Sequence, residues 1–158
     1  MKPPWRAIGV SACGARHVLN NTPCQDSVQV NVHQKYIVLA VADGHGDKKH
    51  LHSDKGSQFA VDVACQIMQS AILAVESDDS KVAIEHERIL ASSLGKRISW
   101  EWNKKVNVHC GLSNYGDWQE DLVQYGTTIL AAAISKSWAI FYQLGDGDIL
   151  LTQQDGSS

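Results

Sequence analysis

The sequence predicts an α+β domain with an antiparallel sheet, and three observations lead to that prediction. Strand-like segments come first in the 158-residue chain, with alternating and β-branched residues. Two long segments with helical spacing follow one after the other, and strand-like segments then return. A parallel domain would alternate single helices with strands, so the grouped order favours antiparallel pairing.

The N-terminal part is predicted to form three strands. Residues 5–11 have strand-like alternation and lead into a loop that contains glycine. Residues 27–33 alternate polar and apolar side chains, and residues 36–42 are more continuously apolar. The short connection at residues 33–35 makes these two segments a hairpin, which delivers residues 43–46 at its far end.

Two helices are predicted next. From about Leu51, apolar residues recur at spacings of three and four, as one buried face of a helix of about five turns requires: Phe59, Ala60, Val63, Ala64, Ile67 and Ala71. Polar residues 77–80 interrupt this pattern and supply N-cap candidates for a second helix. The second apolar series steps by four through Leu90, Leu94, Ile98, Trp102 and Val106.

Strands are predicted again in the C-terminal part. Residues 127–134 and 137–144 are strand-like, and residues 149–152 follow after an Asp-Gly turn. Residues 153–158 contain another Asp-Gly turn signal, but no returning strand follows it. We therefore expect the chain to end within an incomplete sheet.

Composition argues against several classes of function. The formal net charge is −3, so a basic nucleic-acid-binding surface is not expected. Apolar runs fall short of the roughly 20 residues that cross a bilayer, and the N-terminus lacks a signal-peptide core. The four cysteines are widely spaced, which favours free thiols: Cys13, Cys24, Cys65 and Cys110. We expect one cytoplasmic domain over residues 1–158, with neither nucleic acid nor membrane as a partner.

The Asp-Gly-His-Gly segment at residues 43–46 is the most informative candidate site. It places a carboxylate, a glycine carbonyl and an imidazole at the end of a predicted strand. Oxygen donors of this kind suit Mg²⁺ and Mn²⁺. Asp-Gly is also a common turn dipeptide, so this segment alone leaves a purely structural role open.

Four segments in order resemble the type 2C, or PPM, family of metal-dependent protein serine/threonine phosphatases. Gln25-Asp26 lies where the family has Glu-Asp, and residues 43–46 carry the family's Asp-Gly-His-Gly. Residues 126–128 (Gly-Thr-Thr) resemble its Gly-Ser/Thr-Thr, and residues 145–148 stand where it has Gly-Asp-Ser-Arg. The Pro-Cys-Gln-Asp run at residues 23–26 is similar to a bacterial branch of the family.

The resemblance implies a fold and a reaction. The fold would be a four-layer αββα sandwich of two antiparallel sheets flanked by helices, of which this chain is an N-terminal portion truncated at the C-terminus. The reaction would be hydrolysis of phosphoserine and phosphothreonine by a water that two Mn²⁺ or Mg²⁺ ions activate, with a third ion in some members. The partners would be phosphorylated proteins.

The resemblance also implies roles for individual residues. Asp43 would bridge two metal ions, and Gly44 would add its backbone carbonyl. Asp26 would hold metal-bound waters, and His45 is the candidate general acid, since imidazoles exchange protons near neutral pH. Asp146 would help to hold the third ion, although the same residue also fits a simple hairpin turn.

Two departures from the family pattern matter. The family usually binds the substrate phosphate with an arginine, whereas here His17 takes that place beside Arg16, and both remain candidates. Two further aspartates of the family, in Asp-Gly and Asp-Asn motifs of its C-terminal half, have no counterpart here. We therefore expect this chain alone to bind metal weakly and to hydrolyse substrate slowly or not at all.

Two alternatives stay open. One is a nitrogen-rich zinc or iron site built from Asp43, His45, His50 and His52. Neighbouring lysines instead indicate a solvated, basic approach surface beside the substrate site: Lys48, Lys49 and Lys55. The other alternative is a non-catalytic module that binds phosphoproteins, which the missing aspartates favour and the intact residues 43–45 oppose.

Overall fold

The computed structural model describes residues 6–19, 21–76, 83–111 and 122–152, with backbone alone at position 16 and positions 83–90. The helices and strands are α1 (Ala15–Leu19), β1 (Ser27–Val32), β2 (Tyr36–Ala42), α2 (Ser53–Glu76), α3 (Ala83–Cys110), β3 (Ile129–Ser135) and β4 (Ala139–Leu144). The grouped order of strands and helices confirms the predicted α+β class. The short helix α1 lies where the sequence indicated only a loop.

The four strands form one antiparallel sheet in the spatial order β1-β2-β3-β4. Tight turns join β1 to β2 and β3 to β4. In the first turn the backbone N–H of His33 donates to the carbonyl of Tyr36 at 2.9 Å, and in the second that of Ser135 donates to the carbonyl of Trp138 at 2.8 Å. Both turns lie at one end of the sheet, so the opposite end presents the residues that follow β2 and precede β3.

One face of the sheet packs beneath α2. Alternate residues of β2 and β3 are buried on this face: Tyr36, Val38, Ala40, Ala42, Ile129, Ala131 and Ala133. Helix α3 packs beside α2, with Leu94, Ile98 and Val106 buried, and its Gly95 lies against the Tyr142 ring of β4. The core therefore lies between the sheet and the two long helices.

Helix α2 is the central element of this core. By length and composition alone it could cross a membrane. However, 13 of its 24 residues are buried, including fully enclosed Val61, Met68 and Ile72. Its apolar character is thus accounted for by packing within the domain.

The opposite face of the sheet is apolar and only partly covered. Val32, Val41 and Phe141 belong to this face and remain 43%, 46% and 36% exposed. Two extended segments, residues 6–14 and 145–152, run over it. The first contacts Val28 and Val30 at Gly9, and the second contacts Leu130 at Gly147.

Neither extended segment is a strand, so the strand predictions for residues 6–11 and 149–152 are wrong. A strand needs a hydrogen-bonded neighbour. Neither segment has one in the part of the chain that the structure describes. The described residues form a single sheet, and the second sheet of the αββα sandwich stays a prediction. Trp5, the N-cap candidates at 77–80 and the turn signal within 153–158 lie outside the described residues.

Candidate functional site

The end of β2 is fixed by the start of the neighbouring strand β3. The backbone N–H of Thr128 donates to the Asp43 carbonyl at 2.9 Å, and the Asp43 N–H donates to the Thr128 hydroxyl at 3.2 Å. The hydroxyl of Thr127 donates to the same Asp43 carbonyl at 2.9 Å. These bonds hold the Asp43 backbone while its side chain stays exposed.

Gly44 lies where three parts of the chain meet. Its N–H donates to the Gln25 carbonyl at 3.1 Å. A Cβ atom at this position would lie 2.5 Å from that carbonyl oxygen and 2.8 Å from the Ser53 carbonyl oxygen. Only glycine fits such a close approach of backbones. Gly44 thereby brings the loop before β1 and the start of α2 against the end of β2.

The carboxyl groups of Asp26 and Asp43 lie in hydrogen-bonding contact. Burial is the largest cause that raises the pKa of Asp26, and the hydrogen bond and negative charge of Asp43 raise it further. Nearby His17 acts in the opposite direction. Two carboxylates held this close repel each other once both are ionised, and a divalent cation bound by their oxygens would relieve that repulsion.

Asp26, Asp43 and Asp146 line one groove of about 320 Å³ at the end of the open face of the sheet. Asp146 reaches the groove because Gly145 turns the chain with a φ of 113°. A Cβ atom on Gly145 would lie 2.6 Å from Cγ2 of Thr128. The structure therefore brings together all three aspartates that the sequence analysis singled out.

The donor set suits a hard divalent cation in its chemistry, because carboxylate and carbonyl oxygens are the ligands that Mg²⁺ and Mn²⁺ prefer. Within the described residues, no group of three or more His, Cys, Asp or Glu side chains converges closely enough to hold a metal. The groove thus offers two carboxylates in contact, a neighbouring glycine carbonyl, and a third carboxylate on its lining.

The histidines do not form the nitrogen-rich metal site that the sequence left open. The rings of His45 and His50 pack together with centroids 4.8 Å apart. His52 instead packs on Tyr125, with ring centroids 5.2 Å apart. The three imidazoles are divided between two clusters, so the zinc or iron interpretation is wrong for these residues.

His45 follows the groove residue Asp43 by two positions, but it is not among the residues that line the groove. Its N–H donates to the Gly126 carbonyl at 3.0 Å. A Cβ atom on Gly126 would come within 2.7 Å of the His45 ring and 2.6 Å of the His50 ring. Gly126 therefore creates the space that both imidazoles occupy, and the exposed His45 ring stands next to Asp43 in the chain.

The loop after His45 carries the basic surface. Lys48 and Lys49 are both exposed. The Asp47 carboxylate accepts a bond from the Lys49 N–H at 3.4 Å, and the Asp47 carbonyl accepts one from the His50 N–H at 2.9 Å. A hydrogen-bonded turn thus presents two lysines beside the candidate site, in agreement with the basic-surface interpretation.

The candidate phosphate-binding residues lie on α1. The half-buried His17 shares a hydrogen bond between its Nδ1 and the Thr22 hydroxyl at 3.0 Å, and it lies near enough to Asp26 to lower the pKa of that carboxyl. Position 16 is described by its backbone alone. His17 therefore lies toward the acidic groove, and Arg16 stays a sequence-based candidate.

Sequence reasoning named four further residues only as parts of a resemblance and missed that they position the site: Gln25, Gly126, Thr127 and Thr128. None bears a group that would react, yet each holds Asp43, Gly44 or His45 in place. The available signal was the Gly-Thr-Thr run directly before β3. It was noted as a resemblance, but its hydrogen bonds to Asp43 depend on the pairing of distant strands.

Comparison with known protein families gives one match for this chain. The family model described as Protein phosphatase 2C matches residues 13–158, which is nearly the whole chain. No curated protein and no solved structure matches the chain.

Proposed function

The chain belongs to the protein phosphatase 2C family, and from that premise we propose that it acts on phosphoserine and phosphothreonine in proteins with Mn²⁺ or Mg²⁺. The observation that carries the proposal is the contact between the Asp26 and Asp43 carboxyls in the groove. Paired carboxylates without a cation would be an electrostatic cost, and a divalent cation turns them into a binding site.

Asp43 is the central metal ligand in this proposal, with the Gly44 carbonyl and Asp26 beside it. Asp146 lines the same groove and would serve a further ion. When bound, the metal ions supply an activated water and stabilise negative charge on the phosphoryl oxygens.

The surrounding residues orient these groups. Thr127 and Thr128 fix the backbone of Asp43 from the neighbouring strand. His45 is exposed, and it would give a proton to the serine or threonine oxygen that leaves. His17, with Arg16 next to it, would bind the phosphate from the α1 side of the groove.

Hydrolysis of a phosphothreonine peptide with Mn²⁺, and with EDTA, tests this proposal. The proteins are the 158-residue chain, the longest chain that its reading frame encodes, and the Asp43→Ala variant of each. We expect Mn²⁺-dependent turnover by the longest chain of the reading frame. Its Asp43→Ala variant should lose about 100-fold or more of that activity. Asp148→Ala is the matched control, because it removes an exposed carboxyl from the neighbouring turn, and this variant should keep the activity.

Binding measurements separate the enzyme from a non-catalytic module. If Mn²⁺ and the phosphopeptide bind but no form turns the peptide over, the protein is a phosphoprotein-binding module of the same family. Turnover that survives EDTA, or that Asp43→Ala leaves intact, would contradict the metal-dependent reaction.

A further inference from the structure

Two exposed lysines, Lys48 and Lys49, stand in the hydrogen-bonded turn at residues 47–50, which we call the basic turn. Ion pairs among the described residues involve three other lysines: Lys55, Lys104 and Lys105. Neither lysine of the basic turn takes part in an ion pair within that part of the chain. Their ammonium groups are therefore available to a charged partner.

Contacts with the start of β3 attach the basic turn to the candidate site. The His50 ring donates from Nδ1 to the Val123 carbonyl and packs on the His45 ring, with centroids 4.8 Å apart. The His45 N–H in turn donates to the Gly126 carbonyl at 3.0 Å. Gly126 directly precedes the two threonines that hold the Asp43 backbone. The two lysines thus stand at the site end of the sheet, on a backbone fixed by hydrogen bonds.

The charge of the basic turn contrasts with that of the groove. Asp26, Asp43 and Asp146 line the groove, and the whole chain has a formal net charge of −3. These charges disfavour an acidic peptide at the site. Lys48 and Lys49 oppose that effect on one side of the groove alone, so they can make binding depend on the charge of residues that flank the phosphorylated one.

We propose that the basic turn selects phosphopeptides with acidic residues near the phosphorylated residue, an inference that rests on the proposed function. Lys48 follows Asp43 by only five positions, and the intervening chain turns back. An extended peptide advances about 3.3 Å per residue, so the lysines face positions about two to five residues from the phosphothreonine. Glutamate or aspartate there pairs with Lys48 and Lys49, whereas lysine is repelled.

The expected preference is moderate, because one exposed ion pair changes affinity by a factor of about five at most. We expect kcat/KM to be about fivefold higher for a glutamate-flanked than for a glutamine-flanked peptide. The difference should lie mainly in KM, since the lysines do not touch the reacting atoms. At about 0.5 M NaCl, screening should reduce the ratio to less than about twofold.

The test compares phosphothreonine peptides of one length whose flanking residues are glutamate, glutamine or lysine. The longest chain of the reading frame is assayed with Mn²⁺. Fluorescence anisotropy with the phosphonate analogues, which cannot be hydrolysed, measures binding separately. Lys48→Glu combined with Lys49→Glu should reverse the preference in favour of lysine-flanked peptides. Lys96→Glu combined with Arg97→Glu is the matched control, because it makes the same charge change at exposed positions of α3 and keeps the wild-type preference.

The outcomes distinguish this inference from the proposed function. Equal turnover of the three peptides, or an unchanged preference after charge reversal at Lys48 and Lys49, would overturn the acidic specificity and leave the phosphatase in place. Selective binding of the glutamate-flanked phosphonate without turnover of any phosphopeptide would support the role of the basic turn and contradict the enzyme. A protein that neither binds nor hydrolyses any of the peptides would overturn both.

Discussion

Both faces of the sheet carry apolar side chains, but only one face is buried in the core. On one face, Val38 and its neighbours on β2 and β3 are enclosed by α2. On the other, Val41 pairs with Val28 and Leu130 but remains nearly half exposed. An alternating strand thus specifies two faces, and only the elements packed against them decide which face becomes a core.

The site lies where these two environments meet. The groove with Asp26 and Asp43 opens at the end of the exposed face. Gly44 and His45 turn toward the helical side, where Ser53 begins α2 and Gly126 precedes β3. The buried face therefore supplies a rigid platform, and the open face supplies access for a ligand.

The largest expected effect is the removal of a core side chain from α2. Ile72 is fully buried, so Ile72→Ala leaves a cavity and lowers the free energy of unfolding by about 3 kcal/mol. Leu73→Ala is the matched control on the next, half-exposed position, with a loss below about 1 kcal/mol. Urea denaturation measures both. If the two variants lost the same stability, Ile72 would not be more deeply buried than Leu73, in contradiction of the described packing of α2.

The same substitution on opposite faces of β2 compares the faces directly. Val38→Thr buries a hydroxyl group and is expected to cost about 2 kcal/mol. Val41→Thr leaves its hydroxyl in water and changes stability by less than about 0.5 kcal/mol. Thermal melts of the two variants measure the contrast. A large loss at Val41 would mean that the open face is covered in solution.

Loss of the hydrogen bond between the Asp43 N–H and the Thr128 hydroxyl is expected to have a smaller effect on stability. Thr128→Val keeps the side-chain shape but removes the hydroxyl that accepts from the Asp43 N–H, which costs about 1 kcal/mol. We also expect Mn²⁺ affinity to fall about 10-fold, because Asp43 is less firmly oriented. Calorimetry with Mn²⁺ measures the affinity, and Thr152→Val at an exposed position is the control. Unchanged affinity would remove Thr128 from the positioning residues.

The smallest expected effect concerns Asp26 and pH. Its pKa is raised in the folded chain, so the folded state favours the protonated form, and stability is lost as pH rises through that pKa. Asp26→Asn removes this penalty, so in EDTA its melting temperature is slightly above that of the wild type at pH 7. The difference shrinks below about pH 3, where Asp26 is protonated in both states. A difference in melting temperature that is the same at acidic and neutral pH would contradict this prediction.

Periodicity predicted the long elements well. The three- and four-residue spacing around Val63 predicted α2, and the alternation before Lys35 predicted the β1-β2 hairpin; the structure has both. The extended segments at residues 6–14 and 149–152 have a similar pattern but no ladder among the described residues. A strand pattern describes which side chains can share a face, whereas a strand exists only when another backbone pairs with it.

The sequence by itself determined the α+β class, the order of helices and strands, and the donor groups that residues 43–46 carry, because these follow from local spacing and side-chain type. Tertiary structure alone decided that Asp26 touches Asp43, that Thr127 and Thr128 hold Asp43 in place, and that His52 lies apart from His45. Those contacts join residues far apart in the chain, and they arise only when strand register and helix packing bring distant backbones together.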